Sequence, residues 1–128
     1  MNGLERWHHV MKDGNMEALY DLLHPDCVFI SPVVHTPQEG REITYAYLRA
    51  ANKALSEDFQ YVREVVQDNH AVLEFTVKVD GIFVNGVDII TCEGDQIVEL
   101  KVMVRPLKAV NAVWKQMGEM LEQLKVAS

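Results

Sequence analysis

The second half of the chain alternates. AVLEFTVKV (71–79) places Leu73, Phe75, Val77 and Val79 on one side and Glu74, Thr76 and Lys78 on the other. IVELKVMVR (97–105) repeats the pattern, with Leu100, Val102 and Val104 against Glu99, Lys101, Met103 and Arg105. A period of two admits a half-buried strand and excludes a helix. Asp80-Gly81 between two such runs is a strong hairpin signal. With FQYVREVVQ before the Asp68-Asn69 turn, and IFVNGVDIITC between Asp80-Gly81 and Glu93–Gln96, the pattern predicts a four-strand antiparallel meander. Asn85-Gly86 falls too soon after Gly81 to end a useful strand, so it reads as a bulge or kink inside one.

The first half has a different period. Leu4, Trp7, Val10 and Met11 recur at helical spacing, and Gly14 stops that helix. Asn15 can cap the next helix, NMEALYDLL, which ends at His24-Pro25. CVFIS is a short strand, PVVHTPQEG a loop, and GREITYAYLRAANKAL a third helix with Ile43, Tyr47, Leu48, Ala51 and Leu55 on its stripe. After Pro106 the tail carries Leu107, Val110, Val113, Trp114, Met117, Met120, Leu121 and Leu124 at helical spacing. Segregated helices and strands imply an α+β fold. A strongly curved antiparallel sheet with helices across its concave side makes a cone, and its interior is a natural small-molecule cavity.

At 128 residues one domain is the default, here a cup over 1–104 and a C-terminal helix over 107–125. Nineteen acidic against twelve basic residues leave −7, which argues against a nucleic-acid or anionic-membrane surface. No apolar run approaches the ~20 residues of a membrane span, and the start lacks the pattern of a signal peptide. Cys27 and Cys92 have no C-x-x-C spacing and read as reduced core thiols, so a cytoplasmic location is expected. His8, His9, His24 and His70 do not form a metal-binding pattern, and no metal or cofactor is expected.

The order of these landmarks resembles the nuclear-transport-factor-2-like superfamily, in its ketosteroid-isomerase-like and SnoaL-like branches. The resemblance runs from about Leu4 to Val104. It is carried by the GN turn after helix one, HPDCVFISP, Gly40 before helix three, the hairpins, and VDIITCEGDQIVELKVMV. SPVVHTPQEG, VNGVDII and KVMVRPLKAV together are similar to a bacterial subgroup without an established reaction. The resemblance implies a cone fold, a small hydrophobic ligand, no cofactor, and a homodimer through the outer sheet face. The C-terminal helix could cover that same face.

By the same resemblance, Ser31 stands where ketosteroid isomerases carry an aspartate base, Trp7 where they carry the oxyanion-hole tyrosine, and Asp88 where they carry a protonated aspartate. Asp88 alternates with Ile90 and Cys92, which assigns it to the interior. An acid in an apolar pocket keeps its proton to higher pH. His35, in the loop, is its candidate partner in an acid/base couple. The candidate catalytic pair is therefore Asp88 and His35. Candidate ligand contacts are Trp7, Phe29, Ser31, Tyr47, Phe75, Val77, Ile90, Leu100 and Val102. Two functions are carried forward: proton transfer on a small apolar compound, and ligand binding or dimerisation without chemistry.

Overall fold

The computed structural model describes the backbone of residues 2–127 and the side chains of residues 2–122, so the apolar position expected at Leu124 lies outside the described side chains. The elements run α1 (Gly3–Asp13), α2 (Met16–Leu22), β1 (Leu23–Ile30), β2 (Gln38–Glu39), α3 (Arg41–Ala54), β3 (Glu57–Gln67), β4 (His70–Val79), β5 (Ile82–Glu93), β6 (Gln96–Arg105) and α4 (Leu107–Ala127). The strands form one curved, unclosed sheet in the order β2-β1-β6-β5-β4-β3. The expected meander is β3 to β6. β1 joins it in parallel beside β6, with Phe29 opposite Leu100. The two-residue β2, expected as loop, pairs with β1 through Val28–Glu39 and Phe29–Gln38.

Local chemistry sets the element ends. The Asn2 side chain accepts from the Glu5 N–H at 2.9 Å, and that of Asn15 accepts from the Ala18 N–H at 3.1 Å. Each satisfies a donor that the first helical turn leaves without a partner. Gly14 closes α1 in the left-handed region at φ 67°. Asp80 and Gly81 both take positive φ, which a tight two-residue hairpin requires.

Asn85-Gly86 is not a bulge. The register of β5 runs unbroken through it on both sides, Phe75–Gly86–Val104 and Thr76–Asn85–Arg105. Glycine stands there because a Cβ would lie 2.6 Å from the Phe75 ring and 2.8 Å from the Met103 carbonyl oxygen. Asn85 ties three strands together on the outer face. Its amide donates to Glu74 Oε2 at 3.0 Å, and its oxygen accepts from Arg105 at 3.5 Å. Among the described residues no ion pair joins a β6 charge to Glu74 or Lys78, because β5 lies between those strands. Glu74 pairs instead with Arg63 and Lys78 with Asp58.

The sheet's inner face carries the core. Leu73, Ile90, Cys92, Ile97 and Leu100 pack with Trp7, Val10, Leu19 and Leu22 from the first two helices. Phe75, Val77, Val79 and Val84 pack with Ala109, Ala112 and Val113 of α4. The C-terminal helix therefore lies on the inner side, against α3 and the inner-face ends of β4 and β5, rather than on the outer face. On α3 Tyr47, Leu48, Ala51 and Leu55 of the expected stripe face the interior, while Ile43 is 38% exposed and Thr44 is buried in its place.

Candidate functional site

Between the sheet, α1, α3 and α4 lies a cavity of about 400 Å³. Its wall is mostly aromatic and aliphatic: Trp7 and Met11 of α1, Phe29 of β1, Tyr47 and Leu48 of α3, Phe59 and Tyr61 of β3, Phe75 of β4, and Val113, Met117 and Leu121 of α4. No lysine, arginine or histidine is among the described residues that line it. Asp88 is the carboxylate on this wall.

Asp88 sits mid-strand on β5, opposite Leu73 on one side and Val102 on the other. Both cross-strand neighbours are apolar, and the residue is only 8% exposed. Burial is the first cause of a carboxyl pKa pushed up to about 7, and the hydrogen bond from Tyr61 opposes it in part. Asp88 is thus a proton donor at mildly acidic pH and a carboxylate at mildly basic pH.

Tyr61 was not among the residues singled out from the sequence. Its hydroxyl donates to Asp88 Oδ2 at 3.1 Å, and it accepts from the Trp7 indole Nε1 at 3.0 Å. The β3–β4 register shifts between Tyr61 and Arg63, leaving Val62 extra. This bulge resets which residues of β3 face inward. Phe59 and Tyr61 face the cavity, and beyond the bulge Glu64 lies opposite inward Leu73 and bonds His8 of α1 at 2.6 Å. Burial first, and then the Asp88 carboxyl, raise the Tyr61 phenol far above its usual range, so it stays a donor. The Phe59 and Tyr61 alternation was the available signal, and the break at Val62 obscured it.

The remaining expected residues divide. Trp7, Phe29, Ser31, Tyr47, Phe75, Leu100 and Val102 line the cavity with Asp88. Val77 and Ile90 are buried on the same sheet face but do not reach the cavity. The first half of α4 covers Val77, and Ile90 lies in the core built with Leu19 and Leu22. The structure does not bring His35 to Asp88. Ser31 Oγ accepts from the N–H groups of Val33 and Val34 at 3.1 and 3.3 Å, which curls the loop. Pro32, Val33 and Val34 then face the cavity, and His35 is exposed outside it. Cys27 and Cys92 are buried free thiols, and burial raises both. Among the described residues no three His, Cys, Asp or Glu side chains form a group suited to a metal ion.

The family of this cone is decided by comparison. A family model described as a SnoaL-like domain matches residues 4–100. The chain belongs to the SnoaL-like domain family. A steroid delta-isomerase from Pseudomonas aeruginosa is 33% identical, with a TM-score of 0.91, over 98% of this chain and 93% of that one. An uncharacterized bacterial protein with a cystatin-like fold from Silicibacter pomeroyi is 30% identical, with a TM-score of 0.83, over 91% and 83%. A putative SnoaL-like polyketide cyclase from Jannaschia shares the fold at 15% identity and a TM-score of 0.70, over 87% and 90%. No curated protein matches the chain. The SnoaL-like fold expected from the sequence is therefore present, and among its described residues no helix is long and apolar enough to cross a membrane.

Proposed function

We propose that this SnoaL-like protein binds a small, uncharged hydrophobic molecule in the cone and moves a proton to or from it through Asp88, without a cofactor. The observation that carries this reading is a buried carboxyl on an apolar cavity wall, bonded by Tyr61 through one oxygen only. A pKa of about 7 suits a group that must both give and take a proton near neutrality. The absence of lysine, arginine and histidine from the described wall argues against an anionic ligand, which would be desolvated beside Asp88 with no counter-charge. Similarity to a steroid delta-isomerase supports the same class of chemistry. Ser31 replaces the aspartate base of ketosteroid isomerases by resemblance, so a shuttle from that position is not part of the proposal.

The test is a panel of enones, cyclic ketones and epoxides, assayed with wild type and Asp88→Asn. Loss of Asp88 as acid/base is expected to lower turnover by ~10²-fold or more while the ligand still binds. Full turnover by a folded Asp88→Asn would sink the reading. Binding without turnover by either protein would favour the second reading, a ligand-binding module. We also propose a homodimer through the outer sheet face. Val65, Val72 and Ile89 form one cross-strand row there, and Val87 and Met103 lie side by side in the next. Val65 and Met103 are more than half exposed in the single chain.

A further inference from the structure

Indole nitrogen can only donate a hydrogen bond. The Trp7 Nε1–H therefore occupies a lone pair of the Tyr61 oxygen at 3.0 Å. The single hydroxyl hydrogen of Tyr61 is then directed to its other close partner, Asp88 Oδ2, at 3.1 Å. Oδ2 is an acceptor in this chain, so a proton on Asp88 belongs on Oδ1. Among the described residues Oδ1 has no hydrogen-bond partner, yet it is not one of the sealed, unpartnered atoms, a state that falls to Thr44 Oγ1. Asp88 is part of the cavity wall, and with Oδ2 taken by Tyr61, Oδ1 is the oxygen left for a ligand there.

We propose that Trp7 is a positioning residue: its indole N–H sets the direction of hydrogen bonding through Tyr61 and so keeps the acid proton of Asp88 on Oδ1, facing the ligand. Tyr61, its donor already spent, does not donate to the ligand. Of the Asp88–Tyr61 pair, only Asp88 then offers the ligand a proton. This rests on the reading of Asp88 as the acid of the site, but its test needs no substrate. Two donors in series also polarise each other, so each lowers the cost of charge on Asp88. Trp7 therefore acts on Asp88 only through Tyr61.

The other groups against this chain are few. His8 stands edge-on to the Tyr61 ring at 5.8 Å and is bonded to Glu64. Phe59 packs on the same ring, and Leu73 and Val102 flank Asp88. Of these only His8 and Glu64 carry an ionisable group, so the measurement is repeated in a His8→Gln background.

The experiment is a double-substitution cycle on the Asp88 carboxyl pKa, followed by carbon-detected NMR. Its members are wild type, Trp7→Phe, Tyr61→Phe and the pair. Tyr61→Phe removes a hydrogen bond to the charged form and is expected to raise the pKa by about one unit. Trp7→Phe is expected to raise it by roughly 10–30% of that in wild type, and not at all when residue 61 is phenylalanine. An equal effect of Trp7→Phe in both backgrounds, or none in wild type, would overturn the proposal. Should Trp7→Phe fold poorly, 3-benzothienylalanine at position 7 keeps the ring shape and removes only the N–H. The same two outcomes then apply. A coupled cycle in a protein with no turnover leaves the positioning intact and discards only the enzymatic reading; an uncoupled cycle in an active protein does the reverse.

Discussion

At the scale of the residue, Asp88 stores a cost that pH can reveal. In the folded chain it holds its proton to about pH 7, whereas an unfolded aspartate loses it near ~3.9. Between those values the native state binds more protons than the unfolded state. Stability therefore falls as pH rises through that window and levels off above it, by a total on the order of 4 kcal/mol. Asp88→Asn removes the ionisation and keeps an acceptor for Tyr61. Its urea-unfolding free energy is expected to gain on wild type between pH 4.5 and pH 8 by several kcal/mol. Parallel pH curves would show that Asp88 is not held neutral by burial. This residue was legible because alternation placed it with Ile90 and Cys92 on the inner face. Tyr61 was not, because a one-residue bulge at Val62 resets the inward face of β3, and a bulge leaves no reliable mark in a single sequence.

At the scale of the element, β5 is the strand on which the site depends. Gly86 lets the Phe75 ring and the β6 backbone close over it, and the unbroken register carries Asp88 to the cavity two residues later. A Gly86→Ala methyl would meet the Met103 carbonyl at 2.8 Å, where only backbone movement can relieve it. Overpacking of this kind is expected to cost ~1–3 kcal/mol, read as a lower Tm, with the cavity distorted beside Phe75. An unchanged Tm would mean the sheet yields there freely. Hairpin turns and helix caps could be named from Asp80-Gly81, Gly14 and Asn15 because they are decided within a few residues of chain. Asn85-Gly86 was rightly read as lying inside one strand, but the bulge is not there, since the reason for the glycine lies on the neighbouring strands.

At the scale of the whole molecule, α4 completes the cone. Val113, Met117 and Leu121 supply the wall opposite the sheet. Met117→Trp is expected to fill part of the cavity and weaken binding of any bicyclic probe by tenfold or more, measured by titration calorimetry, with little loss of stability. Unaltered binding would move the ligand away from this wall. For the proposed dimer, Met103→Glu on the outer face is expected to shift sedimentation toward the monomer without altering the Asp88 titration. A wild-type monomer at high concentration would remove the dimer.

Local period and turn chemistry needed only neighbouring residues, so the sequence by itself determined the α+β class, the meander, the helix ends and the inward face of Asp88. The cone and its family followed from the order of those pieces. Tertiary structure decided the rest. It put α4 inside rather than outside, covered Val77 and Ile90, turned His35 to solvent, and brought Trp7, Tyr61 and Asp88 into one chain of hydrogen bonds. That chain joins residues far apart in sequence (Trp7 to Tyr61 is 54 positions, Tyr61 to Asp88 is 27). An amphipathic stripe says that a helix must be covered, but only packing in three dimensions chooses which face of which sheet covers it.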